Sequence, residues 1–223
     1  SLNSLWITQV DFTIMNQRSN LFLTFMLLLF AAGACNNPES AFEIGGASRI
    51  DALHAPWDGL EDVTRFRCFA DEERFYFYYE VADSTMTLVD PYEGERTVDW
   101  EDRVEIFFSQ DSVMTAYFCA EIDPLGRRMD YSSSYKCPLD YEWDFSTMRQ
   151  AGQLTDQGYM VAGSVSISEL AELGVDLKNG FYLGVFRADF HQDGSVNWYS
   201  AVKTDDESPY FHKPNVLFPA RIK

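Results

Sequence analysis

Glu105 and Glu121 are charged residues set inside strand-like runs of aromatic and aliphatic side chains. Glu105 lies in DRVEIFFS (residues 102–109) and Glu121 in TAYFCAEI (115–122); Arg187 repeats the pattern in FYLGVFRADF (181–190). A period of two puts Val104, Ile106 and Phe108 on one face, and Arg103, Glu105 and Phe107 on the other. By the same rule Tyr117, Cys119 and Glu121 oppose Phe118, Ala120 and Ile122, while Val185, Arg187 and Asp189 oppose Gly184, Phe186 and Ala188. Side by side, these strands would gather Glu105, Glu121 and Arg187 into one polar cluster on a sheet face. Such a cluster is either a satisfied ion pair on an exposed face or the floor of a shallow cleft that hydrogen-bonds hydroxyls. Two close carboxylates are also what glycoside hydrolysis needs, one of them with a raised pKa. Arg187 near both would keep them ionised, which spoils a general acid. Binding is therefore favoured over cleavage.

Aromatic residues at loop ends point the same way. Trp100 follows Arg96-Thr97-Val98-Asp99 and precedes a strand, and Tyr210-Phe211-His212 stands before the last strand between Pro209 and Pro214. Trp198 can equally belong to the core. A pyranose offers a flat C–H face, and a Trp or Tyr ring packs on it at little entropic cost. There is no G-x-S-x-G elbow and no His-rich metal motif. His54, His191 and His212 are scattered and read as surface or turn residues.

The elements that must carry these residues are strands. Residues 64–69 and 74–81 (RFYFYYEV) alternate around the turn Asp71-Glu72-Glu73 and form a hairpin. Strands follow at 102–109, 115–122, 127–132, 157–167, 181–190, 197–202 and 216–222, with Asp123-Pro124-Leu125-Gly126 as a turn. One short helix is expected over 168–173, with Ser168 as N-cap and Gly174 past its end. Residues 83–99 form the one long stretch without strand character, a length that more often serves function than connection. Many short strands without βαβ alternation predict an all-β, two-sheet antiparallel β-sandwich, jelly-roll or immunoglobulin-like.

The N-terminal part reads as an export signal. Arg18 precedes an apolar run of about ten residues, Leu21 to Phe30, half of the ~20 needed to span a bilayer. The small-residue exit Ala31-Ala32-Gly33-Ala34 leads to Cys35. A cysteine in that place resembles a bacterial lipobox, in which the sulfur is diacylated; cleavage after Ala34 without lipidation is the alternative. Residues 1–34 are thus expected to be removed, with 35–41 as lipidated Cys35 and tether and 42–223 as the sandwich domain. Asn36 after Cys35 points to the outer membrane. Cys68 and Cys119 read as small buried hydrophobes, and an odd count with Cys137 describes no disulfide framework.

Composition bounds the partners. The chain has 223 residues, 16% aromatic, and a formal net charge of −18 without any basic run. Nucleic acid needs a basic footprint and is excluded.

Four stretches in order resemble the carbohydrate-binding module family 9 superfamily, a β-sandwich related to DOMON domains. They are FYFYYEVAD (75–83), WEDRVEIF (100–107), YFCAEIDPLG (117–126) and FHKP (211–214), spread along residues 57–222. The resemblance implies non-catalytic binding of xylan- or cellulose-type chains in concert with glycan-degrading enzymes, with the sugar sandwiched between two aromatics. Trp100 would be one wall and Phe211 or Tyr210 the other. Glu105 would accept hydroxyl protons, and Glu121 and Arg187 would line the floor. It also implies a structural calcium, for which Asp83 and Asp102, with Asp99 or Asp90, are oxygen donors.

Overall fold

The computed structural model describes residues 41–223 apart from 47, 56, 58, 59, 63 and 205. The export signal, Cys35 and most of the tether lie outside the described residues.

Alternation builds the strands. In β6 (Arg74–Ala82) every second residue is buried, and Phe75, Phe77, Tyr79 and Val81 all point inward. β5 (Arg65–Ala70) pairs with it antiparallel, as the hairpin pattern predicts. This sheet is completed by β2 (Ser48–Ile50), β10 (Arg149–Thr155) and β11 (Gly158–Ser166), in the order β10-β11-β6-β5-β2.

The second sheet runs β4-β3-β13-β12-β7-β8-β9. Its members are β3 (Leu53–Ala55), β4 (Leu60–Asp62), β7 (Arg103–Ser109), β8 (Tyr117–Ile122), β9 (Arg128–Ser133), β12 (Phe181–Phe190) and β13 (Val196–Ser200). β14 (Phe218–Ile222) pairs with the start of β12 and, in parallel, with β1 (Phe42–Ile44). The predicted two-sheet sandwich is what forms. The short strands β1 to β4 and the polar edge strand β10 were not expected.

The helix α1 (Ile167–Glu172) begins two residues before Ser166's expected rival, Ser168, would allow. Ser166 is the N-cap, its hydroxyl accepting the Glu169 N–H at 3.1 Å. Ser166-x-x-Glu169 has capping-box spacing, the signal that outranks Ser168. Gly174, at φ +79, closes the helix as expected.

Two apolar layers flank the second sheet. Between the sheets lie Phe66, Phe75, Tyr79, Ile106, Phe108, Val161 and Val185, with Phe75 and Phe108 edge-to-face at 5.4 Å. The outer face is not bare. Phe107, Tyr117, Cys119, Tyr131 and Phe186 are covered there by Val98, Phe211, Val216 and Leu217 from loops. Gly184 permits this cover, since a Cβ there would meet Phe186 at 2.5 Å and Leu217 at 2.6 Å. Cys68 and Cys119 are free and buried, one in each layer, and Cys137 is free and exposed.

Candidate functional site

The loop cover leaves an opening above β7 and β8. Antiparallel register places Glu105 directly opposite Glu121, both on the outer face and 2% and 4% exposed. Arg103, two residues before Glu105, shares that face by period. Its Nε donates to Glu105 Oε1 at 3.0 Å and lies 2.5 Å from Glu121 Oε2. Its Nη1 donates to the carbonyls of Asp99 (3.1 Å) and Val98 (3.4 Å), which fixes the guanidinium. Tyr131 donates its hydroxyl to Glu121 Oε1 at 2.6 Å.

One cation between two buried carboxylates leaves the cluster short of positive charge. Burial first, and then the Glu121 charge, push Glu105 up to about 8 against the pull of Arg103. His212 cannot supply the missing charge, because burial and Arg103 depress its imidazole to about 4. Its Nδ1 lies 3.2 Å from the Tyr117 hydroxyl, inside the aromatic layer. Glu121 Oε2 has the Arg103 ion pair as its one contact, and among the described residues neither Glu105 Oε2 nor Arg103 Nη2 has a hydrogen bond. A donor and acceptors thus stand side by side with free valences, the arrangement a sugar hydroxyl can both accept from and donate to.

These groups floor a cavity of about 260 Å³ walled by Tyr141, Trp198, Tyr210 and His212. Tyr210 is 51% exposed, Tyr141 is exposed on the facing rim, and Trp198 is half-buried with the Arg103 guanidinium 5.4 Å from its ring.

The structure brings Glu105, Glu121, Tyr210 and Phe211 to this cavity and places Trp100 and Arg187 elsewhere. Phe211 lines it with little exposed surface: it is 5% exposed and stacks on Phe186 at 4.2 Å. Trp100 is 69% exposed and lies outside this cavity, lining a neighbouring one. The two residues after it explain this. Glu101 and Asp102 are both fully buried; Glu101 takes the Val89 N–H and Arg127, and Asp102 takes the N–H groups of Thr87 and Phe190. With both anchored inward, the Trp100 ring is left outward.

Arg187 is on the opposite face of the sheet. Register pairs Arg187 with Val104 and Phe186 with Glu105, so Arg187 points between the sheets beside Val185. There it is ion-paired with Asp62 (3.0 Å), Asp83 (2.7 Å) and Asp189 (3.3 Å). Arg103 takes the place expected for Arg187. Period two from Glu105 had already put Arg103 on that face, so this signal was available. Tyr131 reaches the site through β9, where register sets it opposite Cys119, whereas Tyr141 and His212 reach it by tertiary packing and carry no such signal.

The acidic residues expected to hold calcium also meet a partner. Oxygens of Asp83, Asp102 and Asp189 lie within 4.8 Å of one another. That is about twice a calcium–oxygen distance of ~2.4 Å, so one ion can touch all three. Burial pushes Asp102 up to about 7, with smaller contributions from the Asp83 and Asp189 charges, and burial raises Asp189 against the pull of Arg187. The donor set is all hard oxygen and fits such an ion. Asp99 belongs instead to the cavity above Glu105, and Asp90 is exposed.

Residues 50–217 match the family model described as carbohydrate family 9 binding domain-like. The chain belongs to that family. Its members are non-catalytic carbohydrate-binding modules. Among solved structures, a Bacteroides uniformis protein described as carbohydrate-binding superposes with a TM-score of 0.62 at 16% identity, over 80% of this chain and 87% of that one. A family 9 carbohydrate-binding module from Caldicellulosiruptor kristjanssonii, in complex with glucose, gives 0.50 at 13% identity, over 82% and 96%. These likenesses bear out the sandwich fold. No curated protein matches the sequence.

Proposed function

We propose that this chain is an exported, lipid-anchored module that holds a sugar over Glu105, Glu121 and Arg103 and serves polysaccharide-degrading enzymes. The observation that carries the reading is the cavity in which these three side chains keep free hydrogen-bonding valences between the rings of Tyr141, Trp198 and Tyr210. The carboxylates are bound to Arg103 and Tyr131, an arrangement that orients hydroxyls. A glycan array probed with the chain from residue 35, carrying Cys35→Ser, tests it. Retention on plant-type β-glycans is expected, and retention on no glycan by a folded protein would overturn the reading.

Anchoring through the Cys35 sulfur is supported by the signal-like run and small-residue exit before it. Mass spectrometry of the membrane-extracted protein should find an acylated N-terminal Cys35, and Cys35→Ser should release the protein into the soluble fraction. Calcium at Asp83, Asp102 and Asp189 is the third part of the reading, supported by their mutual distance and by the raised pKa of Asp102 and of Asp189. Calcium should raise the Tm of chelated protein, and Asp189→Asn should remove that increase.

A further inference from the structure

The floor above β7 and β8 carries a charge imbalance that an uncharged sugar does not relieve. Glu105 and Glu121 stand opposite each other with a single guanidinium, that of Arg103, whose Nε reaches both. Asp99, on the wall of the same cavity, has its own partner in Arg96. His212 on that wall stays neutral, because burial and Arg103 hold its imidazole down. Tyr131 and Cys119, the other titratable groups against the pair, are buried and bring no positive charge. The cluster is one cation short. The acceptor left over is Glu105 Oε2, which has no hydrogen bond among the described residues.

Without a further cation, a proton makes up the difference: burial, and then the Glu121 charge, push Glu105 up to about 8. A protonated amine can take that proton's place. It is a compact donor of three N–H groups with no acceptor of its own, and hydrogen bonds between ions are roughly twice as strong as neutral ones. The rings of Tyr141, Trp198 and Tyr210 border the same cavity, and aromatic faces attract cations. An adjoining hollow that shares Tyr141 is rimmed by Glu93, Glu95 and Glu142 against Arg96, so the approach is negative as well. A bare divalent metal ion is a poorer match. The Arg103 side chain already bridges the two carboxylates, and the walls offer rings where such an ion needs several oxygens.

We infer that this cavity selects a sugar carrying a free, protonated amine, a hexosamine unit without its N-acetyl group, whose ammonium donates to Glu105 Oε2. On binding, the proton held by Glu105 passes to solvent. This rests on the sugar reading of the Glu105 cavity and names the charge its ligand carries.

Calorimetric titration of the full chain at pH 7 with glucosamine, glucose, N-acetylglucosamine and ethanolamine tests it. Glucosamine should bind at least tenfold tighter than glucose, and added salt should shrink that ratio. N-acetylglucosamine, with the same ring and no charge, should show no such gain. Ethanolamine, an ammonium without a ring, should bind at least tenfold more weakly than glucosamine. Buffers of different ionisation heat should reveal proton release with glucosamine and none with glucose. Glu105→Gln, shown by circular dichroism to be folded, should bring the two sugars to within twofold of each other; the wild-type ratios and the proton release stand even if that variant fails to fold. Glucosamine binding no tighter than glucose, binding without proton release, ethanolamine binding as tightly as glucosamine, or an unchanged ratio in folded Glu105→Gln would overturn the amine selection while leaving the sugar reading. If no sugar, charged or neutral, binds the wild type, the sugar reading fails and this inference with it.

Discussion

Arg103 and Arg187 lie on neighbouring strands of one sheet, both nearly buried and both held by carboxylates, yet they face opposite ways. Arg187 points into the space between the sheets, where Asp62, Asp83 and Asp189 surround it and Tyr199 lies over it at 5.7 Å. Arg103 points outward into a layer of loops that does not close, and its carboxylates keep unused oxygens beside a cavity. The same chemistry makes a structural ion cluster on one side of the sheet and a binding floor on the other. What separates them is coverage. A face sealed by a second sheet leaves no room for a sugar, whereas one covered by separate loops can leave a gap over polar groups.

The comparison breaks most sharply by removing the cations. Arg187→Met leaves three carboxylates facing one another without their counter-charge, and loss of a buried partner costs about 3–5 kcal/mol. For a chain of this length that corresponds to a Tm fall on the order of 10 °C. Glycan affinity, measured well below the new Tm, should change less than twofold. If Arg187→Met abolishes binding in a folded protein, the division between the two faces is wrong.

Arg103→Met should show the reverse pattern. Its carboxylates border a cavity and Glu105 already favours its protonated form, so the stability loss should be smaller, about 1–3 kcal/mol. Glycan retention should fall at least tenfold. Next in size is Tyr210→Ala, which removes an exposed wall and should leave stability within ~0.5 kcal/mol while weakening binding about tenfold. Thermal denaturation and affinity electrophoresis measure the two effects separately.

The two arginines also mark where sequence reasoning holds and where it stops. Period two assigned every residue of β7, β8 and β12 to the correct one of two alternating sets, because alternation is a local property of an extended chain. Which set of β12 shares a face with Glu105 depends on register, a non-local property, and this is where Arg187 was misassigned. Val185 beside Arg187 was the clue, since an apolar neighbour on its set marks the core side. Trp100 failed for a different reason. Its orientation follows from the burial of Glu101 and Asp102, two acidic residues whose pairing with Arg127 and with the backbone of Thr87 and Phe190 no local pattern announces. The 134–144 loop that brings Tyr141 to the site carries no periodicity at all.

The smallest effect is a pH slope, and it separates the two clusters by titration. Glu105 sits at about 8 in the fold against ~4.3 for an unperturbed glutamate. Between those values the unfolded chain has lost a proton that the folded protein retains, so stability falls as pH rises, down to the level reached above pH 8. His212 titrates the other way, but only between about 4 and its ordinary ~6.5, and Asp102 on the Arg187 side, half titrated near 7, contributes a smaller fall above it. The interval from pH 7 to 8 is therefore dominated by the Arg103 side, and Glu105→Gln separates the two. Wild-type protein should lose about 1 kcal/mol across it, some 2–4 °C in Tm. Glu105→Gln keeps the shape and removes the larger titration, so its Tm should fall much less over that interval and exceed the wild type's at pH 8. A wild-type Tm that is level or rising from pH 7 to 8 would mean that Arg103 fully neutralises both glutamates. The outer cluster would then be as satisfied as the inner one, and the free valences assigned to its floor would have to come from the loops alone.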